Sequence, residues 1–109
     1  EPPNAALDGI AWFCGNAGDT THPVTKKNPN GWGLHDLLGN VWEWCWDRHG
    51  DYPADPPDDD AGPQVGAHRV VRGGSWSNNA RVARAAFRSG DDPACRDGSL
   101  GFRPLRSIP

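Results

Sequence analysis

The sequence predicts a small α+β domain, rich in loops, with short antiparallel strands around an aromatic core. Three observations predict it. The chain has 109 residues, enough for one domain with one core and too few for two, so residues 1–109 read as one unit. Hydrophobic residues make up only 36% yet include six tryptophans; the core must therefore be small and built from rings, each of which removes a large apolar area from water. Fourteen glycines and eleven prolines break the chain into short segments, and the tryptophans argue against disorder. The same composition excludes several classes of function. A net charge of −3 leaves no basic footprint for nucleic acid. No apolar run reaches membrane-spanning length. Cys14, Cys45 and Cys95 are odd in number and scattered, giving neither a disulfide framework nor a zinc pair. The abrupt start at Glu1-Pro2-Pro3 carries no signal peptide and is compatible with removal of a leader or an upstream segment.

Taken in order, Glu1 to Ala6 is a lead-in, and Leu7 to Phe13 is a short apolar element stopped by Gly15-Asn16-Ala17-Gly18-Asp19. His22-Pro23-Val24 is extended, because a residue before proline avoids the helical region. Lys26 to Gly31 is a turn. Leu34 to Leu38 reads as one apolar turn of helix, closed by Gly39 in a left-handed cap. From Val41 the period becomes two: Trp42, Trp44 and Trp46 point to one face and Val41, Glu43 and Cys45 to the other. The three indoles are expected to form a core wall. Glu43, a carboxylate amid that aromatic strand, needs a partner. Asp47 to Ala67 is loop, and its acidic centre, Asp55-Pro56-Pro57-Asp58-Asp59-Asp60, reads as a solvated segment in preference to a cation site. Arg69 to Trp76, with Gly73-Gly74, is a strand with a bulge or a close backbone approach. Ser77 to Ser89 fits helix and strand equally well. Ser89 to Ser99 is polar loop, and Leu100 to Arg103 a short closing strand ended by Pro104. The chain contains no internal repeat.

Three blocks, Gly33-Leu34-His35-Asp36-Leu37-Leu38-Gly39-Asn40-Val41-Trp42-Glu43-Trp44, Arg69-Val70-Val71-Arg72-Gly73-Gly74-Ser75-Trp76 and Leu100-Gly101-Phe102-Arg103, resemble the signature blocks of the formylglycine-generating enzyme (sulfatase-modifying factor) superfamily, in the same order. The resemblance implies a C-type lectin-like fold, in a minimal or N-terminally truncated version, and turns Ala83–Arg88 into a strand. It also implies a structural calcium ion near the first block, held by the Asp36 and Glu43 side chains and the Gly39 and Val41 carbonyls, a set of oxygens suited to a hard cation. The alternative is that Asp36 caps local backbone and Glu43 pairs with an arginine such as Arg72 or Arg103.

Oxidising members of that superfamily carry two cysteines just after the Gly-Gly-Ser block, as copper ligands and nucleophile. Those positions fall here at or near Asn78 and within Ala80–Arg84, and neither is a cysteine; no other side chain there supplies a thiolate. His22, His35, His49 and His68 show no ligand spacing. The chain therefore reads as catalytically silent. Instead, Trp76 to Arg103 resembles the variable region of proteins diversified by retroelements, which display a ligand-binding surface on this fold. That resemblance assigns ligand contact to Trp76, Ser77, Asn78, Asn79, Val82, Phe87, Ser89, Asp91, Asp92, Cys95, Asp97, Gly98 and Ser99, on a rigid frame that includes Gly73, Gly74, Arg81, Arg84, Arg88 and Gly101. The expected function is a non-catalytic module binding a protein or glycan, on a cell surface or phage particle. The alternative is the C-terminal part of a formylglycine-generating enzyme, or an inactive paralogue, in the cytoplasm.

Overall fold

A computed structural model describes residues 4–55 and 62–108. Asn4 opens the one short helix among the described residues, α1 (Ala5–Asp8), its side-chain oxygen accepting from the Leu7 amide at 3.2 Å, as an N-cap does. One turn is too little to stand by itself. Tertiary burial of Leu7 holds it: Leu7, Ala11 and Phe13 pack with Ala83 as the main apolar cluster, flanked by Leu38 and Ala80. Four strands follow, β1 (Trp42–Arg48), β2 (Arg69–Arg72), β3 (Arg88–Asp91) and β4 (Leu100–Gly101). They form one sheet in the order β3-β2-β1-β4. β1/β2 and β2/β3 are antiparallel, and β4 runs parallel to β1.

Several local expectations change. Leu34–Leu38 forms bends with no helical turn, because Asp36 itself sits at φ 57°, outside right-handed helix. Gly39 does adopt the left-handed conformation, at φ 76°. The tryptophans are not a core wall. Trp42 and Trp44 are half-buried and Trp46 is 85% exposed. β4 pairs only with Trp42 and Glu43, so the far half of β1 has a neighbour on one side alone. The buried apolar residues of the sheet are Val70 and Val71 on β2, which is flanked on both sides. The strand expected at Ala83–Arg88 begins instead at Arg88; residues 83–87 are turns and bends. Residues 56–61, which hold most of the acidic run, lie outside the described residues.

The close approach expected at Gly73-Gly74 is present. A Cβ on Gly73 would lie 2.8 Å from the Leu37 carbonyl oxygen, and one on Gly74 3.3 Å from the Ala83 Cα. Both glycines have positive φ, which they adopt at little steric cost.

Candidate ligand-binding surface

The segment after the double glycine is organised by Ser75, which is fully buried. Its amide and hydroxyl both donate to the Asn78 Oδ1, at 2.9 and 2.7 Å. The Asn78 carbonyl in turn accepts from the Cys14 amide at 2.9 Å, tying the segment to the N-terminal region. Asn78 therefore acts within the frame, while Ser77 and Asn79 on either side are exposed. Asn79 accepts from the Arg81 amide at 3.1 Å, and Val82 is half-buried. Phe87 lies 6.0 Å from the Trp42 ring, with the Arg84 guanidinium 5.7 Å from its centroid.

β3 supplies Ser89 and Asp91, both half-buried. Beyond it the chain turns on its own carboxylates. Asp92 accepts from the Ala94 amide at 2.8 Å, and Asp97 accepts from the amide and hydroxyl of Ser99, each at 2.7 Å. These bonds from Ser99, the hydroxyl foremost, hold the Asp97 carboxyl below its usual value. The Trp76 indole N–H donates to the Gly98 carbonyl at 3.2 Å, joining the two ends of this segment.

Cys95 and Asp97 share a cavity of about 450 Å³ with Trp44, Arg96, Leu100 and Phe102. Partial desolvation, then the charge and hydrogen bond of Asp91, push the Cys95 thiol up. Cys45 is raised by burial and by Asp47. Both thiols are thereby less ionised near neutrality, the opposite of what a nucleophilic cysteine needs. The structure brings Cys95 and Asp97 to Trp44, Gly98 to Trp76 and Ser99 and Phe87 to Trp42, and joins Asn78 to Ser75. Trp44 and Phe102, not among the ligand contacts assigned from the sequence, also line this cavity; the aromatic directly after Leu100-Gly101 was the available signal.

The residues assigned to calcium are arranged differently from a ligand cage. Arg103 holds both Glu43 oxygens at 3.0 Å and donates to the His35 carbonyl at 2.7 Å. Asp36 is only 5% exposed; its Oδ2 accepts from the Thr25 amide at 2.9 Å, and its Oδ1 is buried with no partner among the described residues. Gly39 donates its amide to the Gly73 carbonyl at 2.7 Å, and Val41 is half-buried at the start of β1. Asp36 and Glu43 line one cavity of about 350 Å³. As long as Arg103 grips Glu43, the set does not fit a divalent cation, because the carboxylate is already neutralised. Among the described residues no group of three or more His, Cys, Asp or Glu side chains converges as a metal site.

A neighbour of this cavity, Asn40, sits at the structural crossing point. At φ 63° its amide donates to the Trp12 carbonyl at 2.7 Å and its carbonyl accepts from the Trp76 amide at 2.8 Å. Its side chain brackets the backbone of His22, at 2.9 and 3.1 Å.

Residues 4–108 match the model of the sulfatase-modifying factor enzyme 1-like domain. The chain belongs to that family. The formylglycine-generating enzyme of Streptomyces coelicolor is 44% identical over 89 residues, covering 77% of this chain and 28% of that enzyme. The serine/threonine-protein kinase pkn1 of Chlamydia pneumoniae is 38% identical over 94 residues, covering 83% of this chain and 15% of the kinase. Among solved structures, Treponema denticola variable protein 1 superposes with a TM-score of 0.86 at 44% identity, covering 92% of this chain and 37% of that one. PvdO from Pseudomonas aeruginosa superposes with a TM-score of 0.73 at 27% identity, over 86% of this chain and 38% of that one. The chain thus spans well under half the length of these relatives. The C-type lectin-like, formylglycine-generating-enzyme-like fold and the kinship with a variable protein follow from these matches. No helix among the described residues is long and apolar enough to cross a membrane.

Proposed function

We propose that this sulfatase-modifying-factor-like domain is a non-catalytic recognition module, displaying residues 76–99 to a protein or glycan partner as retroelement-diversified variable proteins do. The observation that carries the reading is Asn78. By the family resemblance it falls at or near the position of an oxidising relative's cysteine, and its side chain is committed to Ser75. A thiolate at that position would have to give up this role, and asparagine supplies no redox chemistry. The kinship with a variable protein and the exposure of Ser77, Asn79, Asp92, Asp97 and Gly98 support the same reading. Family membership does not by itself bring oxidation, since a domain of this kind also matches part of a protein named as a kinase.

Genomic DNA beside the coding region tests it. A near-copy of the Trp76–Arg103 segment, differing at adenines and adjacent to a reverse transcriptase, is the expected finding. Oxygen-dependent conversion of a cysteine-bearing peptide to an aldehyde by the purified protein would refute it. The second reading, a C-terminal part of a formylglycine-generating enzyme or an inactive paralogue, is favoured by the 44% identity to the Streptomyces coelicolor enzyme; aldehyde formation would establish its active form.

Calcium is a separate proposal. The open Asp36 Oδ1 is the oxygen that would receive an ion, with Glu43 joining once Arg103 is displaced and Gly39 and Val41 contributing carbonyls. A native-state ligand raises the melting temperature. Saturating calcium should raise it, Asp36→Asn should abolish the rise, and no response to calcium or chelator would remove the ion from this domain.

A further inference from the structure

A third cavity, of about 500 Å³, is lined by strand residues Asp47, Arg72 and Arg88 and by the segments around Tyr52 and Pro63. Of the displayed stretch it shares only the neighbourhood of Arg88. Arg72 and Arg88 face each other directly across β2 and β3, a like-charge pairing that sheets ordinarily avoid. Arg72 donates to the Ala85 carbonyl at 3.0 Å and reaches the Tyr52 hydroxyl at 3.5 Å. Arg88 donates to the Gly50 carbonyl and stacks 3.8 Å from the Tyr52 ring centroid. Each guanidinium has five N–H donors, most of them without a partner among the described residues, and both touch the same tyrosine. Asp47 and Asp51 line the same cavity. Yet among the described residues the one ion pair within contact distance is Arg103–Glu43, so the two arginines and two aspartates stand apart.

Opposite charges that line one space without closing on each other leave room for a ligand that pairs with both. Because the lining is balanced, with two guanidiniums and two carboxylates, it disfavours a multiply charged anion. The volume falls in the range of small-molecule sites, and the planar guanidinium fork matches a carboxylate. We propose that this cavity binds a small zwitterion of amino-acid or dipeptide size. Its carboxylate lies on Arg72 and Arg88, its ammonium on Asp47 or Asp51, and its body against Tyr52. Arg88 apart, the site uses none of the displayed residues, and it survives if that surface has another role.

The test is a titration of the protein, labelled with nitrogen-15 arginine, with the dipeptide alanyl-alanine, following the Arg72 and Arg88 Nε–H signals. Saturable shifts of both are expected. Affinity should fall about tenfold or more, the scale of one lost charge-assisted contact, for the C-terminal amide and for the N-acetyl form of the dipeptide. Arg88→Gln and Asp51→Asn should weaken binding similarly. Arg72→Lys, which keeps the charge and loses the fork, should bind more weakly while melting as the parent does. Absence of saturable shifts, tighter binding of inorganic phosphate than of the dipeptide, or undiminished binding by a folded Arg88→Gln variant would each overturn the proposal.

Discussion

Asparagine does two different jobs in this domain, and neither is visible from residue type. Asn40 takes a left-handed conformation that asparagine tolerates better than most residues and binds three segments, at Trp12, His22 and Trp76, through backbone and carboxamide. Asn78 supplies one oxygen to two donors of a fully buried serine. Asn78→Ala should therefore cost about 1–3 kcal/mol, the penalty for leaving buried donors unpaired. A residue serving only for display would change stability by no more than about 0.5 kcal/mol; urea unfolding separates the two. A second prediction concerns Asp97, whose folded value is lowered by Ser99. A depressed carboxyl stabilises the fold above its unfolded value, near 3.8, and that contribution is lost as pH falls through the folded value. Ser99→Ala removes the hydroxyl donor and leaves the amide, so the Asp97 titration followed by NMR should move partway back up. An unchanged titration would mean the hydroxyl is not engaged in solution.

At the scale of elements, the chain was legible where backbone chemistry is local. Gly39 in a left-handed turn, the close approach at Gly73-Gly74, and strands starting at Arg69 and at Leu100 were readable from residue type and period, although the strands end at Arg72 and Gly101, short of the expected Trp76 and Arg103. The apparent helix at Leu34–Leu38 was not, because its i, i+3, i+4 leucines satisfy a helical pattern while Asp36 at φ 57° does not. The tryptophan wall failed for a different reason. Alternation assigns faces, but whether a face is covered depends on neighbouring strands, and β4 is only two residues long. Pairing of Glu43 with Arg103, sixty positions away, was one of two arginine options the sequence left open, and only the fold decides between them. A Cβ on Gly39 would lie 2.3 Å from the Trp12 carbonyl oxygen, and its φ is 76°. Left-handed strain alone costs about 1–2 kcal/mol, and the clash with backbone adds to it. Gly39→Ala should lose more than about 3 kcal/mol by denaturant unfolding; a loss below about 1 kcal/mol would mean this turn is not held as described.

Across the whole molecule, a display role requires that the frame and the surface respond differently to change. The frame is small: the Leu7, Ala11, Phe13 and Ala83 cluster, Val70 and Val71 on β2, and the hydrogen-bonded crossing at Asn40. A domain with so little apolar core has a narrow stability margin. It can tolerate diversity only where substitutions leave those contacts untouched. Gly98 offers a direct contrast with Gly39 and Gly73. An added Cβ there meets nothing within 4 Å, and its φ lies outside the positive region. Ser77 is exposed as well. Gly98→Ser combined with Ser77→Tyr should therefore shift the unfolding free energy by no more than about 1 kcal/mol, while Gly73→Ala, whose Cβ would meet the Leu37 carbonyl at 2.8 Å, should cost several times that. For a domain of this size 1 kcal/mol corresponds to a melting shift of about 4–8 °C, so one set of thermal scans distinguishes the cases. If the double variant falls as far as Gly73→Ala, residues 76–99 are part of the frame and cannot be a tolerant binding surface.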